Sequence, residues 1–335
     1  MPENRVVSPP LVVMGASTGG VEALRSVCAG LPAAFGAAVL VVLHVDAHAS
    51  ILPDILSHHA VLPVAHAFDG EPIEAGRIYV APPDYHMLVE GSTIVLDRGP
   101  KEHHTRPALD PLFRSAAEQA GARVIAVVLT GDLNDGTAGV HYVKRAGGTA
   151  IVQDPDEAVA PAMPLGALRH GRVDHRLPLA DIPVFLSRWA AEQGLPALAS
   201  GSGHAMAKLP PRPDVDPHST DRTPFVCPSC KGSLLRREDG GLQEFRCYVG
   251  HRFTLETLAH AQGQSTDEAL WSSYRALTEK AMLLHLLAED ARGLGDGERA
   301  AMYADNAREA EHLAVIAQEL TRRAAGTLAE PDPER

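Results

Sequence analysis

Apolar runs of strand length recur through the first two thirds of the chain. They lie at Leu11–Met14, Ala37–Val45, Arg77–Ala81, Thr93–Asp97, Arg123–Leu129 and Thr149–Gln153. Several of these runs show no alternation of apolar and polar residues, which is typical of strands buried on both faces. Helical patterns separate them, at Val21–Ala29, Ile51–His58, Leu109–Ala120, Thr137–Ala146 and Ile182–Glu192. The alternation predicts an α/β fold with a mainly parallel, doubly wound sheet covered by helices.

The character of the chain changes after this first predicted domain, which spans residues 8–192. Residues 193–223 are rich in Pro, Gly, Ser and Asp without an apolar period, which predicts a flexible linker. A small cysteine-containing module is predicted at 224–260, and two helical stretches predict a helical hairpin over 265–324. One apolar stripe is expected to form the hairpin seam, with Trp271, Tyr274, Leu277, Ala281, Leu284 and Ala288.

A glycine-rich turn follows the first apolar run. The segment GASTGG at residues 15–20 fits the pattern G-x-S-x-G, in which a serine hydroxyl stands at a strand-to-helix turn beside free backbone N–H groups. Two other interpretations remain open, a simple N-cap of the following helix and a phosphate site. The segment lacks the Gly-Lys-Ser/Thr of a P-loop and the glycine spacing of a dinucleotide site.

Two further strand ends carry chemically useful side chains. His44 closes the second run, and Asp135 follows the run that ends at Leu129. Ligands of open α/β sheets bind beyond the carboxyl ends of the strands, so both side chains are expected to meet Ser17 in one crevice. There Ser17 is predicted to be the nucleophile, His44 its base and Asp135 the orienting carboxylate. The chain order Ser, His, Asp differs from that of α/β-hydrolases, which disfavours an ordinary lipase-like enzyme.

Seven ordered segments resemble one known family. They are GASTGGVEALRSV, VVLH, GRIYVAPPDYHM, TRPALDPLF, VLTGDLNDGTAG, AGGTAIVQDPDEA and MPLGAL, and they span about residues 8–190. This pattern is similar to the catalytic domain of CheB, the bacterial chemoreceptor protein-glutamate methylesterase. The resemblance implies hydrolysis of glutamyl methyl esters on methylated chemoreceptors, often with deamidation of glutamines and with no cofactor for catalysis. It also implies the roles already inferred for Ser17, His44 and Asp135.

Two departures from the family bear on control and activity. Typical members begin with a phosphorylatable receiver domain, whereas about ten residues precede the first strand here. Control is therefore expected from a separate regulatory protein or from the tail of the chain. The usual segment TGMGNDG reads TGDLNDG. An inward Asp132 carboxylate would oppose an anionic intermediate, and Leu133 cannot adopt glycine-only backbone angles without strain.

A second constellation lies in the cysteine-containing module. Cys227 and Cys230 form a C-x-x-C pair, and Cys247 and His251 follow after a gap of sixteen residues. Three thiolates and one imidazole on two short knuckles predict a structural, tetrahedral Zn²⁺ site with no open position for catalysis. A redox C-x-x-C is the main alternative, but no thioredoxin-like βαβ pattern surrounds it. The segment also resembles zinc-knuckle extensions of CheB-like proteins that lack a receiver domain.

Charge and hydropathy limit the expected partners. Lys and Arg number 30 and Asp and Glu 42, and the resulting net charge of −12 opposes nucleic-acid binding. No run approaches the roughly 18 apolar residues of a membrane span, and no signal peptide is recognisable. A cytoplasmic protein without membrane insertion is therefore expected.

Two hypotheses of different classes remain. The first is a serine-type carboxyl-ester hydrolase acting on methylated glutamates, which the intact Ser17, His44 and Asp135 favour. The second is a weakened or inactive CheB-like binding module that signals through its zinc and helical tail, which Asp132 and Leu133 favour. Arg106 is expected either to face an acidic receptor segment or to be a solvated surface arginine.

Overall fold

The computed structural model of the protein describes residues 9–44, 50–170, 172–193, 222–239 and 242–324. Most of the predicted linker at 193–223 lies outside these ranges. The chain divides into two compact units, Met1–Thr257 and Leu258–Arg335. The first unit therefore contains both the α/β sheet and the cysteine-containing module.

The described residues form thirteen strands and eight α-helices. The strands are β1 (Leu11–Ala16), β2 (Ala38–Leu43), β3 (Val64–His66), β4 (Ile78–Val80), β5 (His86–Glu90), β6 (Thr93–Asp97), β7 (Val124–Val128), β8 (Thr149–Gln153), β9 (His175–Leu177), β10 (Arg222–Val226), β11 (Ser233–Asp239), β12 (Leu242–Cys247) and β13 (Arg252–Thr254). The helices are α1 (Gly20–Ala29), α2 (Leu52–Ser57), α3 (Leu109–Ala120), α4 (Thr137–Arg145), α5 (Ala162–His170), α6 (Ile182–Gln193), α7 (Leu255–Gly293) and α8 (Gly297–Ala324).

β1 lies at the centre of a seven-stranded sheet. The strand order is β3-β4-β2-β1-β7-β8-β9, and every neighbouring pair is parallel. This confirms the predicted fold class. All six residues of β1 and all six of β2 are buried. Their uniform burial explains why the two strands read as continuous apolar runs without alternation.

Alternate residues of β1 face two hydrophobic layers. Val13 belongs to the layer that contains Phe113 of α3, on the side of the sheet that α3, α4 and α5 cover. Met14 belongs to the opposite layer, with Leu24 of α1 and Leu186 of α6. Because both faces of β1 are packed, the position of the residues that follow its carboxyl end is fixed by the core.

Several elements escaped the sequence patterns. The edge strands β3 and β9 have three residues each, too few for a periodic signal, and α5 was not predicted. The run at Thr93–Asp97 is a strand but does not join the main sheet. It forms β6 of an antiparallel hairpin with β5, because only two residues separate the two strands and a parallel pair would need a long crossover.

The cysteine-containing module is built on a second sheet. Strands β10 to β13 pair in chain order and antiparallel. The last strand contacts the α/β domain: the backbone N–H of His103 donates to the carbonyl of Arg252 at 3.3 Å, and the Glu102 carboxylate lies 3.8 Å from the Arg252 guanidinium.

The second unit holds the predicted helical hairpin. Helix α7 begins at Leu255, ten residues before the predicted start. Buried alanines such as Ala281 and Ala288 on α7 and Ala307 on α8 have small side chains, which allow helices to approach closely. Within the predicted stripe Ala281 and Ala288 are buried and Tyr274, Leu277 and Leu284 are half-buried, whereas Trp271 is 56% exposed, so only the first residue of the stripe lies outside the seam. None of the described helices is long and apolar enough to cross a membrane.

Candidate active site

The three predicted site residues lie beyond the carboxyl ends of adjacent strands. In the sheet, β2 and β7 flank β1. Ala16 of β1 is in register with Leu43 of β2, so Ser17 and His44 each follow a paired residue. Because neighbouring strands lie about 4.8 Å apart, this register places the two residues side by side. Asp135 reaches the same edge from the loop after β7.

Backbone hydrogen bonds and close packing fix the turn that carries Ser17. The Ser17 N–H donates to the Thr130 carbonyl at 2.9 Å, which joins the turn to the end of β7. Gly19 has φ 75° and precedes α1. At Gly131 an added Cβ would lie 2.1 Å from the Met163 sulfur and 2.8 Å from the Ser17 Cβ. The loop after β7 therefore packs directly against the predicted nucleophile and has no room for a side chain there.

His44 and Asp135 form the central contact of the site. The His44 Nε2 lies 2.7 Å from an Asp135 oxygen, and the Asp135 side chain is 1% exposed. Its carboxylate also accepts the backbone N–H groups of Leu109 at 2.7 Å, Asp110 at 3.1 Å and Gly136 at 2.9 Å. Burial alone would raise the pKa of Asp135, but the His44 hydrogen bond, the His103 charge and the Leu109 N–H together hold it below its usual range. The carboxylate therefore stays ionised.

Ser17 is half-buried, so its hydroxyl remains reachable from solvent. No hydrogen bond joins the Ser17 and His44 side chains, both of which are described. Catalytic hydrogen bonds are often formed only when substrate is bound. Because Asp135 occupies the His44 Nε2, the Nδ1 is the ring nitrogen left to accept the serine proton.

Comparison with known proteins identifies the family of the α/β domain. The sequence profile described as CheB methylesterase matches residues 12–186, more than half of the chain. The chain belongs to the CheB methylesterase family. A crystal structure of the Thermotoga maritima CheB methylesterase catalytic domain is similar to it with a TM-score of 0.52 and 36% sequence identity, and the match covers 54% of this chain and 99% of that one.

Curated relatives share the same part of the chain. A Rhodospirillum rubrum protein named protein-glutamate methylesterase/protein-glutamine glutaminase 1 is 40% identical over 192 residues, which are 54% of this chain and 49% of the relative. A Leptospira interrogans protein with the same name, marked putative, is 36% identical over 173 residues, 51% of this chain and 90% of the relative. The chain thus spans about half the length of the first of these, and the C-terminal sheet lies outside the match to the CheB profile.

His103 is a site residue that the sequence reasoning missed. Its Nε2 lies 2.7 Å from an Asp110 oxygen and 3.8 Å from an Asp135 oxygen, and its Nδ1 lies 3.0 Å from the Thr257 hydroxyl. Burial alone would lower the pKa of His103, but the Asp110 hydrogen bond and the charges of Asp135, Asp110 and Glu102 raise it to about 9. A histidinium between two carboxylates supports Asp135 from the side opposite His44. Among 17 histidines no sequence signal distinguishes this one.

The carboxylate of Asp110 completes this buried network. It accepts the Gly139 N–H at 2.6 Å in addition to the contact with His103. Burial and the neighbouring Asp135 charge raise the pKa of Asp110 to about 6, against the lowering effect of His103. His103, Asp110 and Asp135 are close enough to hold a metal ion. In the structure their side chains contact one another and the neighbouring His44 and Thr257 directly, which is the arrangement of an ion-pair network.

The residue before Asp135 is held by the end of β13 and the first turn of α7. The Asn134 amide donates to the Glu256 carboxylate at 2.8 Å, and its carbonyl oxygen accepts the Thr254 hydroxyl at 2.9 Å. The Thr254 hydroxyl is also 3.0 Å from that of Thr257, which contacts His103. One polar network therefore joins the end of β13 to Asn134, which precedes Asp135 in the chain, and to His103, which lies 3.8 Å from the Asp135 carboxylate.

The two substituted residues of the segment TGDLNDG behave differently. The exposed Asp132 accepts a hydrogen bond from the Thr18 hydroxyl, which holds its carboxylate beside the residue that follows Ser17. Leu133 has φ 62°, in the left-handed region that favours glycine. The strain expected at Leu133 is therefore present, and the Asp132 charge lies at the mouth of the site.

Arg106 is not a solvated surface residue. Its guanidinium donates to Asp84 at 2.6 Å and to the Gly99 carbonyl at 2.6 Å, and the side chain is 18% exposed. The expectation of a solvated surface arginine was wrong, because loop carbonyls and one carboxylate already use its donors, whereas a role toward an acidic receptor segment stays a prediction. It joins the loop before β5 to the segment after β6.

The predicted metal ligands come together in the C-terminal sheet. The Cys230 and Cys247 sulfurs are 3.6 Å apart, and the His251 Nδ1 lies 3.3 Å from Cys247 and 3.7 Å from Cys227. All four ligand atoms lie within 4.8 Å of one another. They therefore form a possible Cys₃His metal site. Cys28 lies apart in α1, where burial raises its pKa to about 12 and leaves the thiol unreactive.

Proposed function

We propose that this CheB family member is a protein-glutamate methylesterase with Ser17 as nucleophile, His44 as base and Asp135 as orienting acid. The observation that carries the proposal is the 2.7 Å contact between His44 and the buried Asp135 at the strand end next to Ser17. A buried, ionised carboxylate fixes the imidazole tautomer and stabilises the imidazolium that forms during the reaction.

The reaction follows from these positions. The Ser17 oxygen attacks the ester carbonyl carbon while its proton passes to the His44 Nδ1, which gives a tetrahedral oxyanion. The C–OCH₃ bond then breaks, and His44 returns the proton so that methanol leaves and a glutamyl ester of Ser17 remains. Water activated by His44 hydrolyses this ester to glutamate and frees Ser17. With a glutamine substrate the same sequence releases ammonia.

Backbone donors are needed to stabilise the oxyanion. The N–H groups of Ser17 and Gly131 are already used, by the carbonyls of Thr130 and Ala160. Within the described part of the chain, the N–H groups of Thr18 and Asp132 have no such partner. Thr18 follows Ser17 in the chain, and Asp132 follows Gly131, which packs against the Ser17 side chain, so these are the donors we assign to the oxyanion.

We further propose that the substrate is a methylated chemoreceptor or a receptor-like protein in the cytoplasm. Relatives named protein-glutamate methylesterase/protein-glutamine glutaminase support this substrate class. The half-buried Ser17 supports it as well, because the side chain of a folded protein must reach the nucleophile. A separate regulatory protein is a second proposed partner.

The experiment that tests the catalytic assignment is trapping of the covalent intermediate. The full chain is mixed with a methylated glutamyl peptide, quenched in acid within milliseconds and analysed by peptide mass spectrometry. An acyl adduct on Ser17 is expected, with none after Ser17→Ala. Ser26→Ala removes a half-buried hydroxyl from α1 and is the matched control. An adduct on another residue, or an unchanged rate in Ser17→Ala, would contradict the assignment.

For the C-terminal sheet we propose one structural Zn²⁺ held by Cys227, Cys230, Cys247 and His251. Zinc–sulfur bonds of about 2.3 Å in a tetrahedral site put sulfurs about 3.8 Å apart. The Cys230–Cys247 distance of 3.6 Å fits this geometry. Metal analysis is expected to find one zinc per chain, and Cys230→Ala to lose it, whereas Cys28→Ala keeps it. Zinc-free protein with three titratable thiols in the module would contradict this proposal.

A further inference from the structure

A cavity of about 620 Å³ lies between the α/β domain and the C-terminal sheet. One wall carries His86, Glu102 and Arg114, and the other carries Arg246, Gly250 and Arg252. The volume is in the range of small-molecule sites. The cavity is separate from the proposed catalytic residues, none of which lines it.

Charges of both signs line this cavity: three arginines, Arg114, Arg246 and Arg252, and the carboxylates of Glu90, Asp97, Glu102 and Glu118. The register of β12 and β13 places Arg246 directly opposite Arg252. Like charges at directly opposite positions destabilise an antiparallel pair unless other groups compensate them. Arg252 has such compensation, since it lies 3.8 Å from Glu102 and 3.7 Å from Glu244. Arg114 is paired as well, with its guanidinium 2.7 Å from Glu102.

Arg246 has no ion pair of this kind among the described residues, and burial lowers its pKa, although the charge of Glu102 opposes this lowering and favours the protonated form. Its Nε and Nη1 atoms are buried and have no hydrogen-bond partner within the described residues. A buried cationic donor without an acceptor is costly, so such a group in a folded protein calls for a bound partner. The planar guanidinium presents its donors as a fork that matches the two oxygens of a carboxylate or phosphate group.

A second unmatched atom lies on the same cavity wall. The His86 Nε2 is 3.0 Å from the Pro100 carbonyl, which can only accept, so Nε2 carries a proton. Burial lowers the pKa of His86 despite the opposing effect of Glu102, which favours the neutral ring. Its Nδ1 is then an acceptor, and it is buried with no partner among the described residues. This atom calls for a donor, such as a hydroxyl group.

We propose that the cavity binds a small ligand through an oxyanion group, a phosphate or a carboxylate, held by Arg246, with a ligand hydroxyl donating to His86. The exposed rim carries Glu90 and Glu118, which repel further negative charge. The ligand therefore has one anionic group and no polyanionic tail. This site is independent of the proposed esterase activity, because its residues do not belong to the triad.

The test is a calorimetric titration of the full chain with inorganic phosphate and, separately, with glycolate at constant ionic strength. Both probes carry an oxyanion and a hydroxyl, and the two arms distinguish phosphate from carboxylate recognition. Saturable binding of at least one probe is expected. Arg246→Gln is expected to weaken it by at least about tenfold, because a charged hydrogen-bond donor is lost. Arg246→Lys keeps the positive charge but loses the planar pair of guanidinium donors, and it is expected to weaken probe binding less than Arg246→Gln does.

The matched control is Arg236→Gln, which removes the same charge from an exposed position on β11 of the same sheet. This variant is expected to change probe binding by less than about twofold, because salt screens the charge of an exposed side chain. Circular dichroism spectra identical to wild type are required of each variant. If neither probe saturates wild-type protein, or if Arg246→Gln and Arg246→Lys both bind as wild type does, the proposal is wrong.

Discussion

The two ends of the proposed triad are held in different ways. Ser17 stands on a turn that the α/β sheet alone fixes, through Thr130 and the close packing of Gly131, and its side chain is half-buried. Asp135 is 1% exposed, and the residues around it reach Thr254 at the end of β13 and Thr257 in the first turn of α7. The position of Ser17 therefore depends on the family's α/β fold alone. The position of Asp135 also depends on the segment around Thr254 and Thr257, which lies outside the match to the CheB profile.

The difference has a chemical reason. A nucleophile must be open to a protein substrate, so few groups can surround it. An orienting carboxylate must stay ionised and aimed at one imidazole nitrogen, and in a buried site it needs several donors and a nearby cation. Asp135 has three backbone N–H donors, His44 and the charged His103.

Removing a member of the triad is expected to have the largest effect. Ser17→Ala, His44→Ala and Asp135→Asn are each expected to lower kcat by at least about 10³-fold, since the three act as a unit. Double variants are then little worse than single ones. Steady-state methanol release measures kcat, and circular dichroism verifies the fold. Losses that multiply in the double variants would show that the residues act independently.

His103 is expected to matter next, through Asp135. His103→Gln removes the buried cation and is expected to lower kcat by about tenfold through misplacement of Asp135, with little change in KM. His141→Gln, another buried histidine, is the matched control. A similar loss of kcat in both variants would show that His103 contributes only to the stability of the fold and does not position Asp135.

The same residue predicts a pH dependence of stability. Its pKa is raised from about 6.5 in the unfolded chain to about 9. The charged form is favoured by folding, so the stabilisation is complete below about pH 6.5 and is lost as pH rises to about 9. Thermal unfolding should show a loss on the order of 1–3 kcal/mol across this window. The loss should be absent in His103→Gln, and an equal slope in that variant would contradict the assignment.

A smaller effect is expected at Thr257. Thr257→Val removes the hydroxyl beside His103 Nδ1 at nearly constant volume and is expected to lower kcat about threefold to tenfold, the cost of one hydrogen bond. Thr257→Ser keeps the hydroxyl and should restore most of the activity. If the Val and Ser variants lose the same activity, keeping the hydroxyl does not preserve function, and the hydrogen bond to His103 is not responsible.

The smallest effects are expected at the mouth of the site. Asp132→Met together with Leu133→Gly removes a charge near the oxyanion. The double variant also relieves the backbone strain of a non-glycine residue in the left-handed region at position 133. We therefore expect kcat to rise by a few fold. Leu133→Gly alone should change the free energy of unfolding by no more than about 1 kcal/mol, because relief of strain is offset by the flexibility of glycine. Unchanged or lower kcat in the double variant would show that the Asp132 charge does not oppose the reaction.

The sequence predicted those parts of the molecule that depend on continuous buried strands. Unbroken apolar runs before Ser17 and His44 located two neighbouring strand ends, and the N-D-G segment located Asp135. The network of His103 and Thr257 could not be predicted, because it joins residues 154 positions apart that carry no local pattern. Arg106 was misread for the same reason: its partner Asp84 is 22 residues away. The cysteine spacing did predict the grouping of four ligand atoms, because spacing and residue type together define such a site.

The most direct measurement of the central claim is methanol release from a radiolabelled methylated receptor fragment by the purified full chain. Catalytic turnover by wild-type protein is expected, with one glutamate formed per methanol released. We expect at least about 10³-fold less with Ser17→Ala and wild-type rates with Ser26→Ala. Equal methanol release by wild type and Ser17→Ala, or none by wild type on any methylated fragment, would contradict this claim.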